Sequence, residues 1–166
     1  MYYYINSFYL YSFLGYIYEN LLHLIIKGKF LKNVLYEPIK PIYGIGVIII
    51  IIIERFIFNR IKVSKRLKIF LVFITTIVVL TALEGISGVI LEKLVHKVLW
   101  NYSDMKFNFG KYICLEVSFV WGIMSIVFLY VLKPFFDKVL KKIPVWFSNI
   151  MLIITITDIL LSLIIS

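Results

Sequence analysis

From Ile48 to Ile53 the chain carries six isoleucines without interruption, inside an apolar stretch that opens at Pro41 and closes near Phe58. In water such a run reads as a buried strand. Lipid reverses that reading, because an isolated strand leaves its backbone unpaired there while a helix satisfies its own amides. Four further stretches have the same character: residues 3–26, 69–91, 112–132 and 145–165. A helix rises about 1.5 Å per residue, so roughly 20 residues cross a hydrocarbon core of about 30 Å. The runs do not alternate apolar and polar residues, which excludes a β-barrel.

The expectation is an all-α, polytopic transmembrane helical bundle of about five spans, forming one integral membrane domain over residues 1–166. Hydrophobic residues make up 62% of the 166, well above the roughly 45–50% of soluble domains. The first stretch has no Lys/Arg head and no small-residue cleavage site, so it reads as a permanent span rather than a secretory signal. Between spans four and five, Phe135, Phe136, Val139, Leu140 and Ile143 recur at helical spacing, with Lys138, Lys141 and Lys142 on other faces. That pattern predicts a short amphipathic helix on the membrane surface.

The net charge is +9. The cations sit between apolar runs, and no nucleic-acid-binding module is recognisable, so the lipid bilayer is the expected partner and nucleic acid is not. Loop two holds Arg55, Arg60, Lys62, Lys65, Arg66 and Lys68 and is the densest cluster. Loops one and three hold Lys27, Lys29, Lys32 and Lys40, and Lys93, Lys97, Lys106 and Lys111. By the positive-inside rule the N-terminus is cytoplasmic, in a multi-pass protein of the cell membrane. Cys114 is the single cysteine; it permits no internal disulfide and packs as a small hydrophobe.

Acids inside such spans are the informative residues. A central charge costs roughly 2.5–3.5 kcal/mol on insertion scales, and each Ile or Leu returns roughly 0.3–0.6. Glu19, Glu84, Glu92, Glu116 and Asp158 lie in or at the ends of the apolar runs. Glu84, Gly88 and Glu92 follow one another at four-residue steps along one helical face. Gly85 and Gly88 lie three apart on a neighbouring stripe, where small side chains let another helix approach closely. Tyr16, Glu19 and His23 make a similar stripe in span one. The functional reading is a polar cavity lined by Glu19, His23, Glu84 and Glu116, with Glu92 near an interface. The alternative is hydrogen bonding between helices that only fixes packing.

His23 and His96 lack metal-site spacing, so no metal and no cofactor is expected. There is no G-x-x-x-x-G-K-[ST] and no G-x-S-x-G. Catalysis is therefore not expected, and any ATP hydrolysis falls to a separate partner.

Four segments carry a family resemblance: LGYIYENLLHLIIKGKF from Leu14, LYEPIKPIYGIG from Leu35, LEGISGVILEKLVHKVLWNYSD from Leu83 and FNFGKYICLEVSFVWG from Phe107. In order and spacing they resemble the ABC-transporter type IV family, the CmpB-like bacterial membrane permeases, over roughly residues 8–134. P-I-Y-G, L-E-x-x-x-G-x-x-L-E-K, W-x-Y-S and C-L-x-x-S-x-x-W-G occur in series. The chain departs from the family pattern twice. KNVLYEP lacks an Arg and two glycines, and Asn101 stands where an Asp is expected between Trp100 and Tyr102.

The resemblance implies a permease or transporter subunit for a small solute, acting as a homodimer or with another membrane subunit, and with a separate ATPase if ATP-driven. It adds Tyr36, Tyr43, Trp100, Tyr102 and Asn108 to the substrate-binding candidates, on loop segments that would roof the acid-bearing face. Two other readings stand beside it: a non-catalytic assembly or regulatory subunit, and a membrane-embedded enzyme acting on lipid or envelope substrates.

Overall fold

A computed structural model describes residues 2–31, 33, 35–96 and 98–165. Lys32 and Lys97, used above in the charge pattern, lie outside the described residues. The chain is helical almost throughout: α1 (Tyr2–Lys27), α2 (Pro41–Ile53), α3 (Lys65–Val95), α4 (Leu115–Val127), α5 (Lys133–Leu140) and α6 (Val145–Ile165). A short hairpin of two-residue strands, β1 (Asn108–Phe109) against β2 (Ile113–Cys114), precedes α4.

Local chemistry sets the ends of these helices. Gly28 takes a positive φ of 66° just past α1, and its N–H returns to Leu24 O at 2.9 Å. Pro41 opens α2, where a missing N–H is harmless. Ser64 caps α3 by accepting from Leu67 N at 3.3 Å. The hairpin turns at Gly110, φ 67°.

Among the described residues, four helical stretches are long and apolar enough to cross a membrane: Pro41–Phe58, Lys65–Leu94, Leu115–Leu140 and Val145–Ser162. They overlap the expected spans two to five. The helix α1 is 26 residues long but is not one of these four, and it buries Asn6, Ser7, Ser12 and Asn20.

Two widened turns extend the spans. Glu54–Phe58 continues α2 as a π-helical segment, and Phe128–Leu132 joins α4 to α5 in the same way. Residues 133–140 are helical as the spacing suggests, but they follow α4 without an intervening loop. Pro134 explains the second widened turn. It has no N–H to donate, and its ring crowds the carbonyl four residues back, at Tyr130.

The chain divides into two compact units, residues 1–48 with 138–166, and residues 49–137. In the first, α1 packs on α6. Ser148 Oγ donates to Asn6 Oδ1 at 2.5 Å, Gly15 lies under the Tyr43 ring, and Gly44 lies against Phe8 and Ser12. In the second, α3 packs on α4. Val72, Thr76, Leu80 and Glu84 are buried at four-residue intervals along α3. They share the core with Ser118, Ser125, Phe128 and Leu129, and Gly122 admits the side chains of Phe73 and Ile77. Thr81 Oγ1 donates to Ser118 Oγ at 2.7 Å. Close approach through small residues with hydroxyl bridges is how helices associate where lipid removes the hydrophobic drive.

Candidate functional site

In the unit of residues 49–137, the acid-bearing face of α3 is covered by the segment that follows it. Glu84 is 4% exposed. Its Oε1 accepts from the Tyr102 hydroxyl at 2.7 Å, and its Oε2 accepts from Trp121 Nε1 at 3.2 Å. Two turns further on, about 12 Å along the axis at 1.5 Å per residue, Glu92 makes a second node. Its Oε1 takes the Lys111 ammonium at 2.6 Å and its Oε2 the Tyr112 hydroxyl at 2.5 Å. The carboxylate of Glu92 holds Lys111 above its ordinary value.

Between the two nodes the glycines make room. A Cβ on Gly88 would run into the Tyr112 ring, and one on Gly85 would meet the end of Ile113. The glycine stripe thus receives Tyr112 and Ile113, at the entry to β2, rather than a neighbouring helix.

The covering loop is ordered by its own polar groups. Asn101 Oδ1 accepts from Ser103 N at 2.9 Å and from Ser103 Oγ at 2.7 Å. Asn108 Nδ2 donates to Gly110 O at 3.1 Å and to Ser103 O at 3.4 Å. Tyr102 N donates to Lys111 O at 2.9 Å. The Trp100 ring meets Tyr112 edge-on at 5.9 Å. Its buried Nε1 has no hydrogen-bond partner among the described residues.

In the other unit, Glu19 pairs with Lys40 at 3.0 Å, and His23 Nδ1 lies 2.7 Å from Lys29 O. Both acts tie α1 to loop one. The Tyr43 ring packs on Gly15 and meets Tyr18 at 6.3 Å. Tyr36 presents an exposed ring, while its backbone N–H donates to Asp158 Oδ1 at 2.9 Å. Glu37 N donates to the other oxygen at 2.6 Å, and Ser162 Oγ adds a third bond at 3.1 Å. Glu37 accepts in turn from Thr155 Oγ1 at 2.7 Å.

The structure therefore groups Glu84 with Tyr102, and Glu92 with Tyr112, Trp100 and Lys111. Glu19 and His23 belong to the other unit. Glu116 sits in the first turn of α4, where a carboxylate complements the exposed amides, and accepts from Cys114 Sγ at 2.7 Å.

Sequence reasoning left Trp121, Lys111 and Asp158 out of the set. Trp121 and Lys111 stood within the family-like segments, so position in a motif was the available signal. For Asp158, 122 residues from Tyr36, there was none beyond its being an acid in an apolar run.

One lysine between two acids lies elsewhere in the 49–137 unit. Lys133 Nζ stands 3.0 Å from Asp137 Oδ2 and 3.9 Å from Glu54 Oε2, linking the start of α5 to the widened turn that follows α2.

Apolar helices of membrane-crossing length, joined by loops that fold back on intrahelical acids, define a multi-pass membrane protein. The chain belongs to the family described as Putative ABC-transporter type IV, whose model matches residues 6–166. Searches of curated proteins and of solved structures return no match.

Proposed function

We propose that the protein is a permease subunit that moves a small polar or cationic solute across the cell membrane, together with a separate ATPase. In this reading α1 is a fifth span, the N-terminus is cytoplasmic, and residues 1–166 act as one membrane domain that pairs with a second copy or another membrane subunit. Glu84 is the solute-facing group, under a roof formed by residues 100–111.

One observation carries the reading. Glu84 is a buried acid in a membrane-spanning helix, and its donors are neutral. Glu19, Glu54 and Glu92 instead have lysine partners. A carboxylate offers about four acceptor positions; Tyr102 and Trp121 take two. The remainder suits a cationic or protonated solute, and ionisable groups within spans mark such pathways by default.

A second reading has its own observation. Both oxygens of Glu84 are engaged within one helix–loop unit, which suits a non-catalytic assembly subunit whose acid only fixes packing.

Mass spectrometry of the tagged protein, purified from native membranes in mild detergent beside Glu84→Gln, separates the two. Recovery of an ATPase with both forms is the expected result. Its absence from the unaltered protein overturns the transporter reading, and loss of partners in the variant alone assigns Glu84 to assembly.

A further inference from the structure

We propose that the turn between α2 and α3 is a binding surface for anionic phospholipid headgroups. Between Glu54 and Lys68 the chain carries Arg55, Arg60, Lys62, Lys65, Arg66 and Lys68 against a single acid. That acid is already engaged: Glu54 faces Lys133 at 3.9 Å and accepts from Asn59 Nδ2 at 3.4 Å. The positive charge of the turn is therefore not neutralised from within it.

The arrangement concentrates that charge. Arg55 and Arg60 lie over the same Phe56 ring, their guanidinium carbons 5.8 and 5.7 Å from its centroid. Arg60, Lys62, Lys65 and Arg66 are all exposed.

Depth decides between lipid and an acidic protein as the anion. The turn joins two membrane-crossing stretches, one ending at Phe58 and the next starting at Lys65. Its cations thus lie within a few residues of the hydrocarbon boundary, at the level of headgroup phosphates. Exposed Phe56, Ile57, Ile61, Val63 and Leu67 alternate with them. Long basic side chains reaching to phosphates, with apolar side chains entering the acyl region, is the pattern of a lipid-facing surface. Clusters of four to eight Lys/Arg beside a membrane helix recognise anionic lipid in this way.

The test is native mass spectrometry of the full chain in mild detergent, with phosphatidylglycerol or phosphatidylcholine added. The variant Arg60→Gln/Lys62→Gln/Lys65→Gln is compared with Lys27→Gln/Lys29→Gln/Lys93→Gln, which removes the same charge from exposed positions dispersed over other segments. The unaltered protein is expected to retain phosphatidylglycerol preferentially. The turn variant should lose about fivefold for each charge removed, and the control should keep the preference. Added salt should weaken it as well, because the groups are exposed.

Equal retention of the two lipids by the unaltered protein overturns the proposal. So does an equal loss in both triple variants, which would reduce the effect to net charge. An unchanged lipid preference in the turn variant, with loss of an acidic protein partner, also overturns it, in favour of protein docking. Circular dichroism checks folding. If the triple variant fails to fold, Lys62→Gln alone, an exposed loop position, must still lose about fivefold.

Discussion

Asp158 and Glu84 are each 4% exposed, each sits in an apolar helix, and each holds a connecting segment. They do so with different partners. Asp158 accepts from the backbone N–H groups of Tyr36 and Glu37. Glu84 accepts from the side chains of Tyr102 and Trp121. Backbone donors are present whatever residue stands at positions 36 and 37, apart from proline. Side-chain donors exist only if Tyr and Trp are there. The first node is thus a matter of chain path and the second of residue identity. On the function proposed above, the acid held by side-chain donors is the ligand-exchanging group, and the one holding amides is the anchor.

The largest expected effect breaks the anchor. Asp158→Ala leaves two amides and the Ser162 hydroxyl without their acceptor, and should destabilise the fold by roughly 2–4 kcal/mol. The unfolding midpoint in mild detergent measures this, and a protease should newly cut within residues 28–40. An Asp158→Ala protein as stable as the original would remove the anchor role.

Next comes the packing beneath the Glu84–Glu92 face. Gly88→Ala sets a Cβ against the body of the Tyr112 ring, and overpacking of this kind costs about 1–3 kcal/mol. Gly85→Ala meets only the flexible end of Ile113 and should be milder. If the two rank the other way in the same melt, the hairpin does not rest on this stripe as described.

A double-mutant cycle of Glu84→Gln with Tyr102→Phe should give a coupling of about 1–2 kcal/mol, since bonds to carboxylates are among the stronger ones. Its counterpart sharpens the contrast. Tyr36→Ala keeps the backbone donor to Asp158 and should change stability by less than about 0.5 kcal/mol. A large loss there would show that the exposed Tyr36 ring, not its amide, is what matters.

The smallest effect concerns Lys111. Its value is raised in the folded protein by the Glu92 carboxylate. The contact's contribution is therefore fully present below the ordinary lysine value of 10.5. It is lost as pH rises through the raised value. A shallow alkaline decline in the melting temperature, absent from Lys111→Met, is the expected record.

Much of the helix layout was legible in the sequence. The stretches 41–58 and 145–165 coincide with helical segments because apolar length and flanking prolines mark them locally. The run of span four into residues 133–140 was not legible. Pro134 reads as a boundary in a linear string, yet a widened turn absorbs it.

The stripe of Glu84, Gly88 and Glu92 was readable from spacing, and so was the nearness of residues 100–111, from the resemblance; residues 35–44, the other expected part of the roof, group with the other unit. The donors were not. Trp121 reaches Glu84 from 37 residues away and Tyr36 reaches Asp158 from 122. Periodicity reports which residues share a face of one helix and is silent about what arrives from elsewhere.

The sequence by itself determined the class of this protein. Hydrocarbon cannot satisfy an open backbone, so apolar runs of this length become helices that span it, and the ordered motifs place the chain in its family. The tertiary structure alone decided which acid anchors a loop through amides and which one waits on side chains. That choice depends on where distant segments return, and the return path is set by the packing of the whole fold.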